Sequence, residues 1–140
     1  MIDKKQIIEK YFLDTNILIY LLNSNDLEKH KTALDFIKNN PNGCISIQNL
    51  KELSNVLLMK TSGTIDEITE SVLRIGNEFT MLLELPQDTI TTINLCNNRN
   101  NFYDALLIAT MKRHGLTTII TENTKDFDYF DGIRAINPFK

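Results

Sequence analysis

Hydrophobic and polar positions along the chain follow two rhythms that trade places repeatedly. The stretch Tyr11-Phe12-Leu13-Asp14-Thr15-Asn16-Ile17-Leu18-Ile19-Tyr20-Leu21-Leu22 is apolar except for three consecutive polar residues in its middle. It reads as a buried strand over residues 8–14, a polar turn, and a buried helix from about Thr15 to Leu22. Asn23-Ser24-Asn25-Asp26 is a polar turn and a helix start. The next helix runs from Leu27 to Asn39, with Ala33, Leu34, Phe36 and Ile37 as its apolar face, and Asn40-Pro41-Asn42-Gly43 stops it. Cys44-Ile45-Ser46-Ile47 predicts a second strand. From Gln48 to Lys60, Leu50, Leu53, Val56 and Leu57 recur at helical spacing.

Thr61-Ser62-Gly63 breaks that helix, and Thr64 opens another with the capping-box spacing Thr64-x-x-Glu67. Ile65, Ile68, Val72, Ile75 and Phe79 step by three and four along it. Met81-Leu82-Leu83-Glu84-Leu85 predicts a third strand, closed by Pro86. A helix from Asp88 to Cys96 carries Ile90, Ile93 and Leu95, and a polar loop, Asn97-Asn98-Arg99-Asn100-Asn101, follows it. Phe102 to His114 is a helix apolar nearly all round, which places it in the interior, and Gly115 ends it. Thr117-Thr118-Ile119-Ile120 and Arg134-Ala135-Ile136 predict the fourth and fifth strands. Strands that alternate with helices imply a parallel sheet covered on both faces, because parallel neighbours need crossover connections.

The totals narrow the picture. At 140 residues the chain is expected to be one domain, and no repeat or linker divides it. Fifteen basic against eighteen acidic residues give a net charge of −3, which argues against coating nucleic acid by bulk positive charge. A nucleic-acid enzyme stays open, because a divalent metal supplies positive charge locally. The first ten residues are charged and lack a long apolar core, so no signal peptide is expected. No apolar run approaches the ~20 residues that span a bilayer. Cys44 and Cys96 lack metal-ligand spacing and read as reduced residues of a cytoplasmic protein.

Three acids stand out against their surroundings. Asp14 closes the first strand, where ligands bind in open parallel sheets. Glu52 lies at the edge of a buried helical stripe, and Asp104 sits in the first turn of the interior helix. Each has a plain structural explanation: Asp14 or Thr15 as a helix cap, Glu52 as a solvated flank, Asp104 as a partner of the helix dipole. Together they are harder to explain so, since acids flanked by apolar sequence are costly to bury unless paired or bound to metal. Hard oxygen ligands without histidine or thiolate suit Mg²⁺ or Mn²⁺.

These residues carry a resemblance. Phe12-Leu13-Asp14-Thr15-Asn16 resembles the opening motif of PIN domains, and Asn49-Leu50-Lys51-Glu52-Leu53 resembles their second acidic site. Phe102-Tyr103-Asp104-Ala105-Leu106-Leu107-Ile108-Ala109-Thr110 resembles the third. Thr121-Glu122-Asn123-Thr124-Lys125-Asp126-Phe127 is similar to the final motif of the VapC-like toxin ribonucleases. The match covers essentially the whole chain in order. It implies a three-layer αβα sandwich around a parallel sheet of four to five strands, ordered 3-2-1-4-5, which brings Asp14 beside the Thr121–Asp126 loop. One departure is that Asn123 stands where some relatives carry a fourth acid, with Asp126 three residues on.

The resemblance implies a metal-dependent ribonuclease of a toxin–antitoxin pair. Asp14, Glu52 and Asp104 would hold Mg²⁺ or Mn²⁺, supported by Thr15, Asn16, Thr121, Asn123 and Asp126. It implies an RNA substrate, an antitoxin partner and a homodimer, with the Ile65–Phe79 seam one candidate surface and core packing an equal explanation for it. The alternative is a non-catalytic PIN-like module for protein binding. A phosphotransfer receiver needs an acidic pair early and a lysine after a late strand. A haloacid-dehalogenase-like phosphatase needs Asp-x-Asp. The chain has a lone early acid, Thr121-Glu122-Asn123 late, and Asp14-Thr15-Asn16.

Overall fold

A computed structural model of the chain describes residues 9–96 and 101–140. In order, the elements are β1 (Tyr11–Leu13), α1 (Thr15–Leu22), α2 (Leu27–Asn39), β2 (Gly43–Ser46), α3 (Ile47–Lys60), α4 (Ile65–Glu78) and β3 (Thr80–Leu82). They continue with α5 (Pro86–Leu95), α6 (Phe102–Arg113), β4 (Thr118–Ile120), a 3₁₀ turn (Thr124–Asp126) and β5 (Arg134–Ile136). All strand pairs are parallel, in the order β3-β2-β1-β4-β5.

The unbroken apolar character of the strands follows from burial on both faces, since successive side chains point to opposite sides. Tyr11, Leu13, Ile45 and Ile120 join one cluster with Ile17 and Leu18 of α1, Ala33 and Phe36 of α2, Leu53 and Leu57 of α3, and Ile75 of α4. Phe12, Cys44 and Ile119, one position out of step, join the other with Ala105, Leu107, Ile108 and Met111 of α6. The result is the three-layer sandwich. Every residue from Ala105 to Met111 is buried, as an interior helix requires. Gly115, at φ 78°, ends α6 in the left-handed region that favours glycine.

Boundaries and two faces differ from expectation. The first strand begins at Tyr11, and the third occupies Thr80–Leu82 while Pro86 opens α5 instead of closing a strand. Leu34, expected on the buried face of α2, is 46% exposed. In α5 the hydrophobic pattern misleads: Ile90 and Ile93 face outward, and the buried positions are Asp88 and Thr92. The reason is a polar contact with α6. Asp88 accepts from Arg113 Nε at 2.7 Å, from the Thr110 hydroxyl at 3.4 Å and from the Leu85 backbone N–H at 2.8 Å. Residues 97–100, most of the expected polar loop and Arg99 with it, lie outside the described residues. Among the described residues no helix is long and apolar enough to cross a membrane.

Candidate metal centre

Parallel strands with right-handed crossovers end at one edge, and the sequence places its acids there. Asp14 follows β1 directly and caps α1. Its Oδ1 accepts from the Thr15 backbone N–H at 2.8 Å, and its Oδ2 accepts from the Thr121 hydroxyl at 2.8 Å. The capping role and the site role therefore coincide in one side chain. Thr121 stands directly after β4, the neighbour of β1, and its backbone N–H is held by Ile136 O at 2.9 Å.

Asn49 carries the second connection. Ser46 and Asn49 form a capping box at the start of α3, with Asn49 Oδ1 accepting from the Ser46 N–H at 2.7 Å. Its Nδ2 donates to Leu13 O at 3.2 Å and to Thr15 Oγ1 at 3.0 Å. Asn49 is wholly buried and so fastens the end of β1 to the first turn of α3. The Thr15 hydroxyl lies on the Glu52 side of this link and helps hold the Glu52 carboxyl down against the rise from burial. Gln48, one turn before Glu52, donates from Nε2 to Glu52 Oε1 at 2.7 Å and to the Tyr103 carbonyl at 3.1 Å, tying α3 to the residue before Asp104. Its Oε1 is buried without a hydrogen-bond partner among the described residues.

The electrostatics show the acids within reach of one another. Asp104 is pushed up to about 6, first by burial and then by the charges of Asp14, Asp126 and Glu52. Burial raises Asp14 above the usual carboxylate range, the hydrogen bonds from Thr121 and Thr15 oppose the rise, and Asp126 adds to it. Burial likewise raises Glu52, with Asp14 contributing and Gln48 and Thr15 opposing. Asp126 is exposed at the end of the 3₁₀ turn, and its charge reaches both Asp14 and Asp104.

The sequence-predicted residues thus divide. Asp14, Glu52, Asp104 and Asp126 share one electrostatic neighbourhood, with Thr15 and Thr121 hydrogen-bonded into it. Asn123 donates its backbone N–H to Thr121 Oγ1 at 3.0 Å, which makes it a loop-shaping residue. Asn16 is half-buried in the first turn of α1, and among the described residues its side chain makes no hydrogen bond to the acids. Sequence reasoning missed Gln48 and Asn49; the Ser46-x-x-Asn49 spacing was the available signal for the second. It also missed Tyr129, whose hydroxyl is raised by burial and then by Asp104, Cys96 and Asp126.

A divalent cation fits this donor set in type and charge. The donors are oxygens, and no lysine or arginine among the described residues forms an ion pair with any of the four acids. As they stand, no three acidic, imidazole or thiol groups among the described residues close round a common centre.

Comparison with known proteins follows the same lines. A toxin–antitoxin complex from Klebsiella pneumoniae is similar at 26% identity and TM-score 0.68, over 93% of this chain and 98% of that one. VapBC-1 from nontypeable Haemophilus influenzae is similar at 19% identity and TM-score 0.69, over 94% and 100%. Mycobacterium tuberculosis VapC20, a sarcin-ricin loop cleaving toxin, is similar at 19% identity and TM-score 0.65, over 79% and 87%. The curated proteins contain no significant match. The PIN domain family model matches residues 11–133. With its acids at the carboxyl edge of a 3-2-1-4-5 sheet, the chain belongs to the PIN domain family.

Proposed function

We propose that this chain is a metal-dependent endoribonuclease and the toxin of a toxin–antitoxin pair. The observation that carries the reading is Asp104: a carboxyl pushed up to about 6 by burial and by three further carboxylates, with no lysine or arginine among the described residues paired to any of them. Asp14, Glu52 and Asp104 would hold Mg²⁺ or Mn²⁺, with Asp126 at the rim. When bound, such a metal activates a water and neutralises charge on the scissile phosphate and the leaving oxygen. The Thr121 hydroxyl and the Thr15 N–H orient the Asp14 carboxylate, and Gln48 holds Glu52 against the start of α6. Arg113 is committed to Asp88 and is not a free phosphate contact.

The similar solved structures of toxin–antitoxin complexes support an antitoxin partner for this chain, and the toxin resemblance supports RNA as substrate. The reading includes a single domain over residues 1–140, a cytoplasmic setting in keeping with two free cysteines, and a homodimer. Of the Ile65–Phe79 seam only Ile65 is largely exposed, because Ile75 and Phe79 are buried and Ile68 and Val72 pack against the core. Sedimentation as a monomer at high micromolar concentration would remove the dimer.

A second reading, a non-catalytic module for protein binding, draws on the acids not closing into a ligand set as they stand. Incubation of a total RNA pool with the protein and Mn²⁺, with cleavage ends mapped by sequencing, separates the two. The enzyme gives discrete ends that vanish with chelator or in Asp14→Asn. Cleavage that persists in both controls, or none with Mn²⁺, would remove the nuclease.

A further inference from the structure

The loop after β4 brings the charge of Asp126 within reach of Asp14 and Asp104, both of which it raises. Its two ends are held differently. Phe127, 1% exposed, anchors the far end in the core beneath α6. At the near end Glu122 points away from the acids, into a separate polar cluster. Its Oε1 accepts from the Tyr20 hydroxyl at 2.8 Å, and its Oε2 pairs with the Lys29 ammonium. Lys29 also donates to the Tyr20 hydroxyl at 3.3 Å and lies 5.2 Å and 5.6 Å from the ring centroids of Tyr20 and Phe139. Those two rings meet edge to face at 5.2 Å, and Asn137 Nδ2 donates to Glu122 O at 3.3 Å. Glu122 thereby joins α1, α2 and the chain beyond β5.

Helix α1 consequently grips this loop twice. Asp14, at its start, receives the Thr121 hydroxyl, and Tyr20, further along, binds the next residue, Glu122. Between that grip and Phe127 the backbone is closed by Asp126 N–H to Asn123 O at 3.0 Å and Phe127 N–H to Thr124 O at 3.1 Å. Glu122 therefore fixes the start of the short turn that carries Asp126, and Phe127 fixes its end.

From this geometry we infer that Glu122, with Lys29 and Tyr20, is a positioning residue that holds Asp126 against the acidic site in readiness for a divalent cation. The inference rests on the proposed metal site but names residues outside it, on the far side of the loop. Both Glu122 carboxylate oxygens are engaged by Tyr20 and Lys29, so its role passes through the loop. Glu122 holds the start of the turn in place, so that less reorganisation accompanies metal binding.

The test titrates Mg²⁺ into wild type, Glu122→Gln, Asp126→Asn and the double variant by calorimetry, with amide hydrogen exchange over residues 121–127 in metal-free protein. Glu122→Gln is expected to weaken Mg²⁺ binding roughly tenfold, in the range of second-layer partners of metal sites. In the Asp126→Asn background it should have no further effect, because its influence passes through Asp126. Lys29→Met should reproduce Glu122→Gln, and Lys29→Arg should retain wild-type affinity. Equal affinity of Glu122→Gln and wild type, or independent losses that multiply in the double variant, overturns the inference. If wild type itself binds no Mg²⁺, the proposed metal site fails, and hydrogen exchange alone judges the grip. Faster exchange at 121–127 in Glu122→Gln then upholds it, and unchanged exchange overturns it.

Discussion

The Thr121 hydroxyl donates to Asp14 Oδ2 at 2.8 Å across 107 positions of sequence. The contact exists because β1 and β4 are neighbours, with Leu13 opposite Ile120, so the residues after each strand emerge side by side. Thr121 is wholly buried and Asp14 nearly so. The buried carboxylate has few other donors, and Thr121→Val, which keeps the shape, removes one. We expect a loss of about 1–2 kcal/mol in urea unfolding at neutral pH. The Asp14 carboxyl, already raised by burial, should rise further, as a carboxyl NMR titration would show.

Asp14→Asn tests the chemistry without that structural damage. The amide keeps one acceptor oxygen for the Thr15 N–H, and the Thr121 hydroxyl can rotate to accept from the new NH₂. The variant should fold, as its circular dichroism and melting curve will show, while Mn²⁺-dependent RNA cleavage falls to that of a protein-free blank. Cleavage at the wild-type rate would place the metal elsewhere.

Asn49 gives a contrasting prediction. Its Oδ1 accepts from Ser46 and its Nδ2 donates to Leu13 O and Thr15 Oγ1, all in a fully buried setting. Asn49→Asp keeps the acceptor but turns the donor into a carboxylate oxygen facing a carbonyl. The loss should be about 3 kcal/mol or more, because a buried charge is left without a partner. Asn49→Asp should therefore lower activity through unfolding, and Asp14→Asn without it. Comparable denaturation midpoints for the two variants would contradict the role given to Asn49.

How far the sequence alone led depends on what each residue's neighbours are. Helix α2 falls on Leu27–Asn39 as expected and β5 on Arg134–Ile136, because local breakers frame both. The nearness of Asp14, Glu52 and Asp104 could be anticipated because an acid within an apolar run conflicts with local burial. Helix α5 was not legible in its orientation. Its apolar residues point outward and Asp88 inward, since its partner surface on α6 presents Arg113 and Thr110, a fact held in no local window. Gln48 and Glu122 were invisible for the same reason. Their partners are Tyr103, Tyr20 and Lys29, brought near by the fold.

The last prediction uses the repulsion among the acids. Asp104 stands at about 6 in the folded protein against about 3.9 unfolded, so between those values the folded state binds more protons than the unfolded one. Stability from this group therefore falls as pH rises through that window and stays low above it. Asp14 and Glu52, also raised, act in the same direction. Glu122 and Asp88, lowered by their cation partners, act oppositely, so the informative quantity is the difference between wild type and Asp104→Asn at each pH. Metal-free Asp104→Asn should melt higher than wild type at pH 7, by roughly 3 °C for each kcal/mol of repulsion relieved. The gap should close as pH approaches about 4, where wild-type Asp104 is protonated in the folded state. Mg²⁺ at a hundredfold over its dissociation constant should stabilise wild type by about 2.7 kcal/mol and the variant by much less. Thermal melts of both proteins across this pH range, with and without Mg²⁺, supply all of these quantities. A lower melting temperature for metal-free Asp104→Asn, together with no Mg²⁺ shift in either protein, would mean that the acids neither repel one another nor share a cation.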